Sequence, residues 1–331
     1  MVARLARWAG RRVYTAPRER TRCPACGSRR LAALAPHRLE RAIDGRRTGL
    51  VSGCEDCGLV FVNPPPSDDD LAARYAPGGD WGADRDDAER PRTSAGQAGG
   101  GSWPRLFDAA RPDLDVTHPP AGARALDFGC GRGKFLDVLQ ACGWQTFGIE
   151  PASDAAFDRH QRLLEVPEAP TFDLFIVHHV LEHVADPLAL LRRFAAAAQP
   201  GAYMLVAVPR LDTLPLHRDY SYVISRVHVT AYTAVALSGL LARAGWAVVQ
   251  PPDTEVAIAG GRQTSARLRL LARRTPGLEA AALPAQPLGV ARAALRTCAP
   301  RYPRLAARVI ESRRWVRQHV TKRLDQAYRR Y

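Results

Sequence analysis

The chain has 331 residues, 46% of them hydrophobic, enough for one large or two modest domains with a sizeable core. A formal net charge of +14 raises nucleic acid, acidic lipid or a phosphorylated substrate as partners. Lysine occurs only at Lys134 and Lys322, so the excess is arginine in a chain also rich in alanine and proline. A genome-wide composition bias accounts for it without nucleic acid. No apolar run approaches the roughly twenty residues that span a bilayer.

Residues 1–20 are basic, and Arg4, Arg7, Arg11 and Arg12 interrupt any apolar core of a secretory signal, so a cytoplasmic chain is expected. There, with four of the seven cysteines in two C-x-x-C pairs, those pairs read as metal ligands in place of a disulfide frame. Over 21–66, Cys23-Pro24-Ala25-Cys26-Gly27 and Cys54-Glu55-Asp56-Cys57-Gly58 are two knuckles of one form, each placing two thiolates on a tight turn. Four such thiolates close a tetrahedral zinc site with no position left for water, which makes the zinc structural, worth on the order of 10 kcal/mol to a unit with little core of its own. Leu59-Val60-Phe61-Val62 is expected as the last strand of this zinc ribbon. Residues 67–120 begin with a helix ending near Tyr75. From 76 to 105 there is no periodicity, and Gly, Asp, Arg and Pro dominate, a composition that cannot offset its ordering entropy. A linker anchored by Trp81 and Trp103 is expected.

The most informative stretch lies in 121–275. Ala125-Leu126-Asp127-Phe128 is a short apolar run with an acid in it; Gly129-Cys130-Gly131-Arg132-Gly133 follows as a turn; Phe135-Leu136-Asp137-Val138-Leu139 opens an amphipathic helix. Backbone that turns sharply and passes close to a ligand leaves no room for Cβ atoms, which is the physical reason for Gly129, Gly131 and Gly133. Glu150 closes a second apolar run, Thr146-Phe147-Gly148-Ile149, where a carboxylate can accept both hydroxyls of a ribose. Strand, turn, helix, strand and terminal acid together describe a nucleotide-like ligand over a strand's carboxyl end.

The glycines run G-x-G-x-G with Asp127 two positions ahead, unlike the G-x-G-x-x-G of dinucleotide sites. With Asp127 and Glu150, this pattern resembles the class I, Rossmann-like, S-adenosylmethionine-dependent methyltransferases. The resemblance continues through Phe172 to Pro187, similar to the family's fourth strand and following segment, and through Pro200 to Pro209, similar to its fifth strand. It implies an α/β fold: a doubly wound sheet of seven strands with the last pair antiparallel, to which this chain adds the small N-terminal zinc ribbon and, from the helical spacing of Leu295 to Tyr331, a C-terminal helical extension. It also implies S-adenosyl-L-methionine held by Asp127, Phe128, Gly129, Cys130, Gly131, Gly133, Glu150 and His178, beside a structural zinc on Cys23, Cys26, Cys54 and Cys57. The knuckles, Leu59 to Pro64 and the helix near Tyr75 are similar to the zinc-ribbon-bearing branch, whose members act on sugars, lipids and secondary metabolites. The segment before the first strand folds over the cofactor in many of these enzymes, which would make the linker a lid. Asn63-Pro64-Pro65-Pro66 has a faint likeness to the Asn-Pro-Pro-aromatic motif of base and amide N-methyltransferases, but Pro66 replaces the ring, and a connector is the better reading.

Three histidines are candidates on the acceptor side. His179 and His183 lie beyond the fourth strand's carboxyl end and are expected four residues apart on one helix face with Glu182. A metal there would need further ligands. His228 matches the histidine that serves as general base in the sugar C-methyltransferases of the branch, but Ser225 and Val227 stand where those enzymes have tyrosine and glutamate. An imidazole with a pKa of about 6.5 accepts a hydroxyl proton at neutral pH. The third strand is expected over Arg162-Leu163-Leu164-Glu165-Val166, with Glu165 a guess for the adenine contact. Asp212 to Val227 reads as a polar and aromatic insertion, Leu237 to Ala244 as the last core helix, and Trp246 to Val249 with Arg267 to Ala272 as the closing antiparallel pair. Residues 276–331 form a basic helical extension that suits a solvated face, a membrane surface or a dimer contact. The function expected is methylation of a small molecule, chiefly O-methylation of a sugar, glycolipid or secondary-metabolite hydroxyl, with C-methylation as a variant. An RNA or protein methyltransferase, or a silent cofactor-fold binding protein, are the alternatives.

Overall fold

The computed structural model describes residues 19–37, 49–66, 114–151, 157–211, 223–224, 228–250, 255–258, 261–264, 267–278 and 288. The helix near Tyr75, the 76–105 linker, most of the 212–227 insertion and the helical extension lie outside the described residues. An antiparallel meander comes first: β1 (Leu31–His37), β2 (Gly49–Cys54) and β3 (Val60–Asn63). The larger unit runs β4 (Arg124–Phe128), α1 (Lys134–Ala141), β5 (Gln145–Ile149), β6 (Gln161–Arg162), β7 (Phe172–His178), α2 (Pro187–Ala197) and β8 (Ala198–Pro209). It closes with β9 (Thr230–Ala231), α3 (Ala234–Arg243), β10 (Trp246–Gln250), the hairpin β11 (Glu255–Ile258) and β12 (Gly261–Thr264), and β13 (Arg267–Arg274).

Seven strands form one sheet in the order β10-β13-β8-β7-β4-β5-β6, with β13 antiparallel to both neighbours. The expected doubly wound sheet with an antiparallel closing pair is therefore present. From β4 the chain winds outward through β5 and β6, then returns to β7 on the other side of β4 and winds out to β8. The carboxyl end of β4 is thus the switch point, where the loops leave in opposite directions and a crevice opens.

The central strands read as near-continuous apolar runs because helices cover both faces. β4, β5 and β7 are almost wholly buried. Beneath the crevice Phe128 packs edge-on to Phe194 at 5.1 Å, and Phe175 to Trp246 at 5.6 Å. The Trp246 indole N–H donates to the Leu191 carbonyl at 3.2 Å, satisfying the one polar atom of the largest core side chain. Asp186 caps α2 by accepting from the Ala189 N–H with Pro187 at the first turn, and Thr233 caps α3 through the Ala236 N–H.

Two expectations change. The third strand is only Gln161–Arg162, paired with Phe147 and Gly148. One further bond, from the Leu163 N–H to the Gly148 carbonyl, continues toward β5 before Pro167, which has no N–H, while Leu164 is 55% exposed and Glu165 points to solvent near Arg193. Nor do His179 and His183 share a helix face. Strand β7 runs to His178, His179 adopts a left-handed φ of 56°, and Leu181–His183 is a single 3-10 turn. A left-handed residue cannot be carried inside a right-handed helix, so α2 starts only at Pro187.

The meander does not stand apart. Its sheet has the order β1-β2-β3-β9, and β9 comes from the larger unit. Phe61 pairs with Thr230 and Val60 with Ala231, and the Val62 N–H donates to the Val229 carbonyl at 2.9 Å. Val51, Val60 and Val62 pack against Leu211, Ala231 and Leu288, sealing the junction with apolar surface. Asn63 spends its side chain on the connector: its Oδ1 accepts from the Arg20 N–H at 2.7 Å and its Nδ2 donates to the Arg20 carbonyl at 3.0 Å.

Candidate active site

The glycine turn sits at the switch point. Gly129, Gly131 and Gly133 all have positive φ, of 77°, 52° and 77°. Two of them do different work. A Cβ on Gly129 would lie 2.7 Å from the Val180 side chain, so this glycine lets the turn pass the segment after β7. A Cβ on Gly131 would meet no atom of the described residues within 4 Å. Gly133 caps α1 without any side-chain bond, and Phe135, Leu136 and Leu139 anchor the helix on the sheet.

Glu150 ends β5 beside this turn, its Oε2 accepting from the Gly131 N–H at 2.9 Å. The carboxylate expected to meet a ribose therefore touches the backbone expected to pass it. Asp127 is buried beneath at 2% exposure. Burial pushes its carboxyl well above the usual range, and the neighbouring Glu150 charge adds to this. Cys130 is buried in the same turn, its thiol raised first by burial. Phe128 belongs to β4, and His178 stands at the end of β7 with its ring against Phe135 at 5.2 Å.

Sequence reasoning did not find how this turn is braced. The Arg159 guanidinium bonds Asp137 on α1 at 2.9 Å and the Arg132 carbonyl at 3.0 Å, tying the helix and the glycine turn to the segment after β5. His160 links Asp137 to Thr146 from a buried position. No spacing in the chain announces this bond set, because its members meet only when β5 and α1 pack.

Across the crevice the three candidate histidines come together around a residue left out of the expected catalytic set. Glu182 is 1% exposed; its Oε1 bonds His179 Nδ1 at 2.9 Å and lies 3.9 Å from His183 Nε2. The His183 and His228 rings meet edge to face at 4.8 Å. Donor atoms of Glu182, His183 and His228 lie within 4.8 Å of one another. Burial raises the Glu182 carboxyl, and the two histidines oppose that rise. His178 stacks edge-on to His179 at 4.6 Å, connecting this cluster to the glycine-turn side.

The ribbon cysteines also converge. Cys23, Cys26, Cys54 and Cys57 bring their sulfurs within 4.8 Å of one another, with Cys23 to Cys57 at 3.5 Å and Cys26 to Cys54 at 3.4 Å. Gly27 and Gly58 take positive φ of 74° and 73°, as the two knuckles require. Tetrahedral thiolates at about 2.3 Å from one ion stand about 3.8 Å apart, so the spacing fits such an ion closely. The crowded thiols perturb one another: hydrogen bonds from the other sulfurs raise Cys57 and Cys23 and lower Cys54 and Cys26, the last to about 7.

Residues 102–251 match the family described as methyltransferase domain. That stretch of the chain is similar to this methyltransferase-domain family. Among relatives, the ubiquinone biosynthesis O-methyltransferase of Rhodopseudomonas palustris strain TIE-1 is 34% identical over 100 residues, 26% of this chain and 40% of that one. The chain spans about two fifths of the length of the curated relatives it matches first. Among solved structures, a methyltransferase from Mesorhizobium loti is 20% identical with a TM-score of 0.40, over 53% of this chain and 99% of that one. The 1,6-didemethyltoxoflavin-N1-methyltransferase of Burkholderia thailandensis is 19% identical with a TM-score of 0.38, over 53% and 84%. Within the matched stretch, the glycine turn and Glu150 stand at the switch point, and the His178 ring links them to the histidine cluster after β7. Among the described residues no helix is long and apolar enough to cross a membrane.

Proposed function

We propose that the protein transfers a methyl group from S-adenosylmethionine to a hydroxyl of a small molecule such as a sugar, glycolipid or secondary metabolite. The observation that carries the reading is an open glycine turn after β4 and a buried Glu182–histidine cluster after the neighbouring β7, linked through the His178 ring. The turn fits the cofactor: Gly131 has room for a ligand against its backbone, and Glu150 stands beside it. Asp127, Phe128, Gly129, Cys130, Gly131, Gly133, Glu150 and His178 would hold it. When bound it supplies an electrophilic methyl group on a sulfonium.

The chain's own part is to align the acceptor and remove its proton. Positioning alone lowers such a barrier by several kcal/mol. His228 is the proposed proton acceptor, with His183 against its ring and His179 locked by Glu182 Oε1. The four ribbon thiolates are proposed to hold a structural zinc, closed to water, whose sheet reaches His228 through β9.

The test is calorimetry with S-adenosylmethionine followed by transfer of a labelled methyl group into a metabolite pool. Binding of the cofactor and labelling of a hydroxyl-bearing product are expected. The His228→Ala variant should keep cofactor affinity and lose at least about 100-fold in turnover. No cofactor binding defeats the enzyme reading; full turnover in the variant removes His228 as the base.

A further inference from the structure

We infer that Glu182, His183 and His228 form a binding site for a divalent transition cation that activates the acceptor hydroxyl. The inference deepens the proposed hydroxyl methylation, with His228 a ligand of the ion in place of the proton acceptor, and rests on it for the role of the ion, while the existence of the site stands on geometry alone.

The adjacent Glu182 and His183 on one 3-10 turn converge with His228 from the segment before β9, donor atoms within 4.8 Å of one another. Such a set binds divalent first-row metals and leaves further positions open. Bonds of about 2.1 Å place two ligands on opposite sides of an ion about 4.2 Å apart, so the donors have to draw in by roughly half an ångström. Side chains on a short 3-10 turn and on the segment just before β9 can do this through their torsions. The backbone between the two elements is already fixed, since the Val229 N–H donates to the Glu182 carbonyl at 2.7 Å and the Thr230 hydroxyl to the Leu181 carbonyl at 2.8 Å.

A second observation points the same way. Glu182 is 1% exposed, and its Oε2 has no hydrogen-bond partner among the described residues, while Oε1 is held by His179. A buried carboxylate oxygen without a partner is costly, and a bound cation removes the cost. His179 then acts as the outer partner that orients a ligating carboxylate, which accounts for its left-handed backbone: φ of 56° turns the ring back onto Glu182. The ligand set is distinct from the four-cysteine cluster in donor chemistry. Nitrogen and oxygen donors suit Mn2+ or Fe2+, where four thiolates select zinc. An acceptor hydroxyl on an open position would be held as its oxyanion, with the proton lost to solvent, as metal-bound water ionises near neutrality.

The experiment is an electron paramagnetic resonance titration of the full, zinc-loaded chain with Mn2+, paired with calorimetry using S-adenosylhomocysteine. The expected result is loss of the free Mn2+ signal to one ion per chain. Glu182→Gln and His183→Ala should each weaken that binding about 100-fold, and His179→Ala about tenfold, with S-adenosylhomocysteine affinity unchanged as the sign that each variant is folded. Should one variant also lose S-adenosylhomocysteine binding, the other decides. No Mn2+ binding by the wild type, or equal binding in the folded variants, overturns the site and leaves His228 as a proton acceptor. Mn2+ binding without methylation of any hydroxyl acceptor upholds the site and defeats the proposed acceptor class instead.

Discussion

At the scale of single residues, the glycine turn and Asp127 make opposite demands on the chain. A Cβ on Gly131 meets no described atom, so Gly131→Arg should cost about 100-fold in S-adenosylhomocysteine affinity, about 2.8 kcal/mol by calorimetry, with a modest fall in melting temperature because an arginine at φ of 52° is strained. Asp127 is a cost to the folded state. Its carboxyl is raised on folding, first by burial, so the folded protein holds a proton that the unfolded chain has already released. Stability from this group is full below the ordinary carboxyl pKa and is lost as pH rises toward the raised value. Asp127→Asn removes the titration, and the melting temperature of the variant minus that of the wild type should grow as pH is raised from about 4 to about 8. A flat difference would show that Asp127 ionises freely. That a folded chain tolerates such a group is consistent with a binding role.

Among the elements, the pairing of β3 with β9 does the most to connect ribbon and site. Val229 stands between three parts: its carbonyl accepts from Val62 of β3, its N–H reaches the Glu182 carbonyl, and its neighbour is His228. The ribbon sheet thereby braces the segment that carries the proposed base. Val62→Pro deletes that donor and leaves the four cysteines in place. Cofactor affinity should hold within about twofold, while turnover should fall by about 100-fold, as expected for a small misplacement of a group near the chemistry. Equal loss of both would mean that the pairing supports the fold in general. The short β6 and the 3-10 turn are the elements whose form was least legible beforehand. The apolar and acidic residues after Arg162 resembled a strand, but packing supports only two paired residues there, and the helical spacing of His179 and His183 was broken by one left-handed residue.

For the molecule as a whole, the two sheets divide the work. The seven-stranded sheet carries the glycine turn at its switch point, and the four-stranded sheet carries the cysteines and ends beside the histidine cluster. Removing the proposed zinc with a chelator should lower the melting temperature and abolish methyl transfer while S-adenosylhomocysteine still binds, because the seven-stranded sheet beside Gly131 and Glu150 shares one core with the ribbon but has a second of its own around Ala125, Leu139, Trp144 and Ile176. Loss of cofactor binding on chelation would show that the two sheets unfold as one. Isothermal titration before and after chelation distinguishes the outcomes.

The sequence by itself determined what short-range chemistry dictates. The knuckles Cys23 to Gly27 and Cys54 to Gly58, the turn from Gly129 to Gly133, the acid Glu150 and the buried runs of β4, β5, β7 and β8 are written in spacing and apolarity over stretches of a few residues. Tertiary structure decided everything that depends on residues far apart in the chain. It made Glu182 the centre of the histidine cluster, brought His228 to His183, joined β9 to the ribbon and enlisted Arg159 and His160 behind the cofactor turn. Each of those contacts forms only after sheets and helices have packed, and buried polar groups find partners according to where the backbone brings them, which no local pattern encodes.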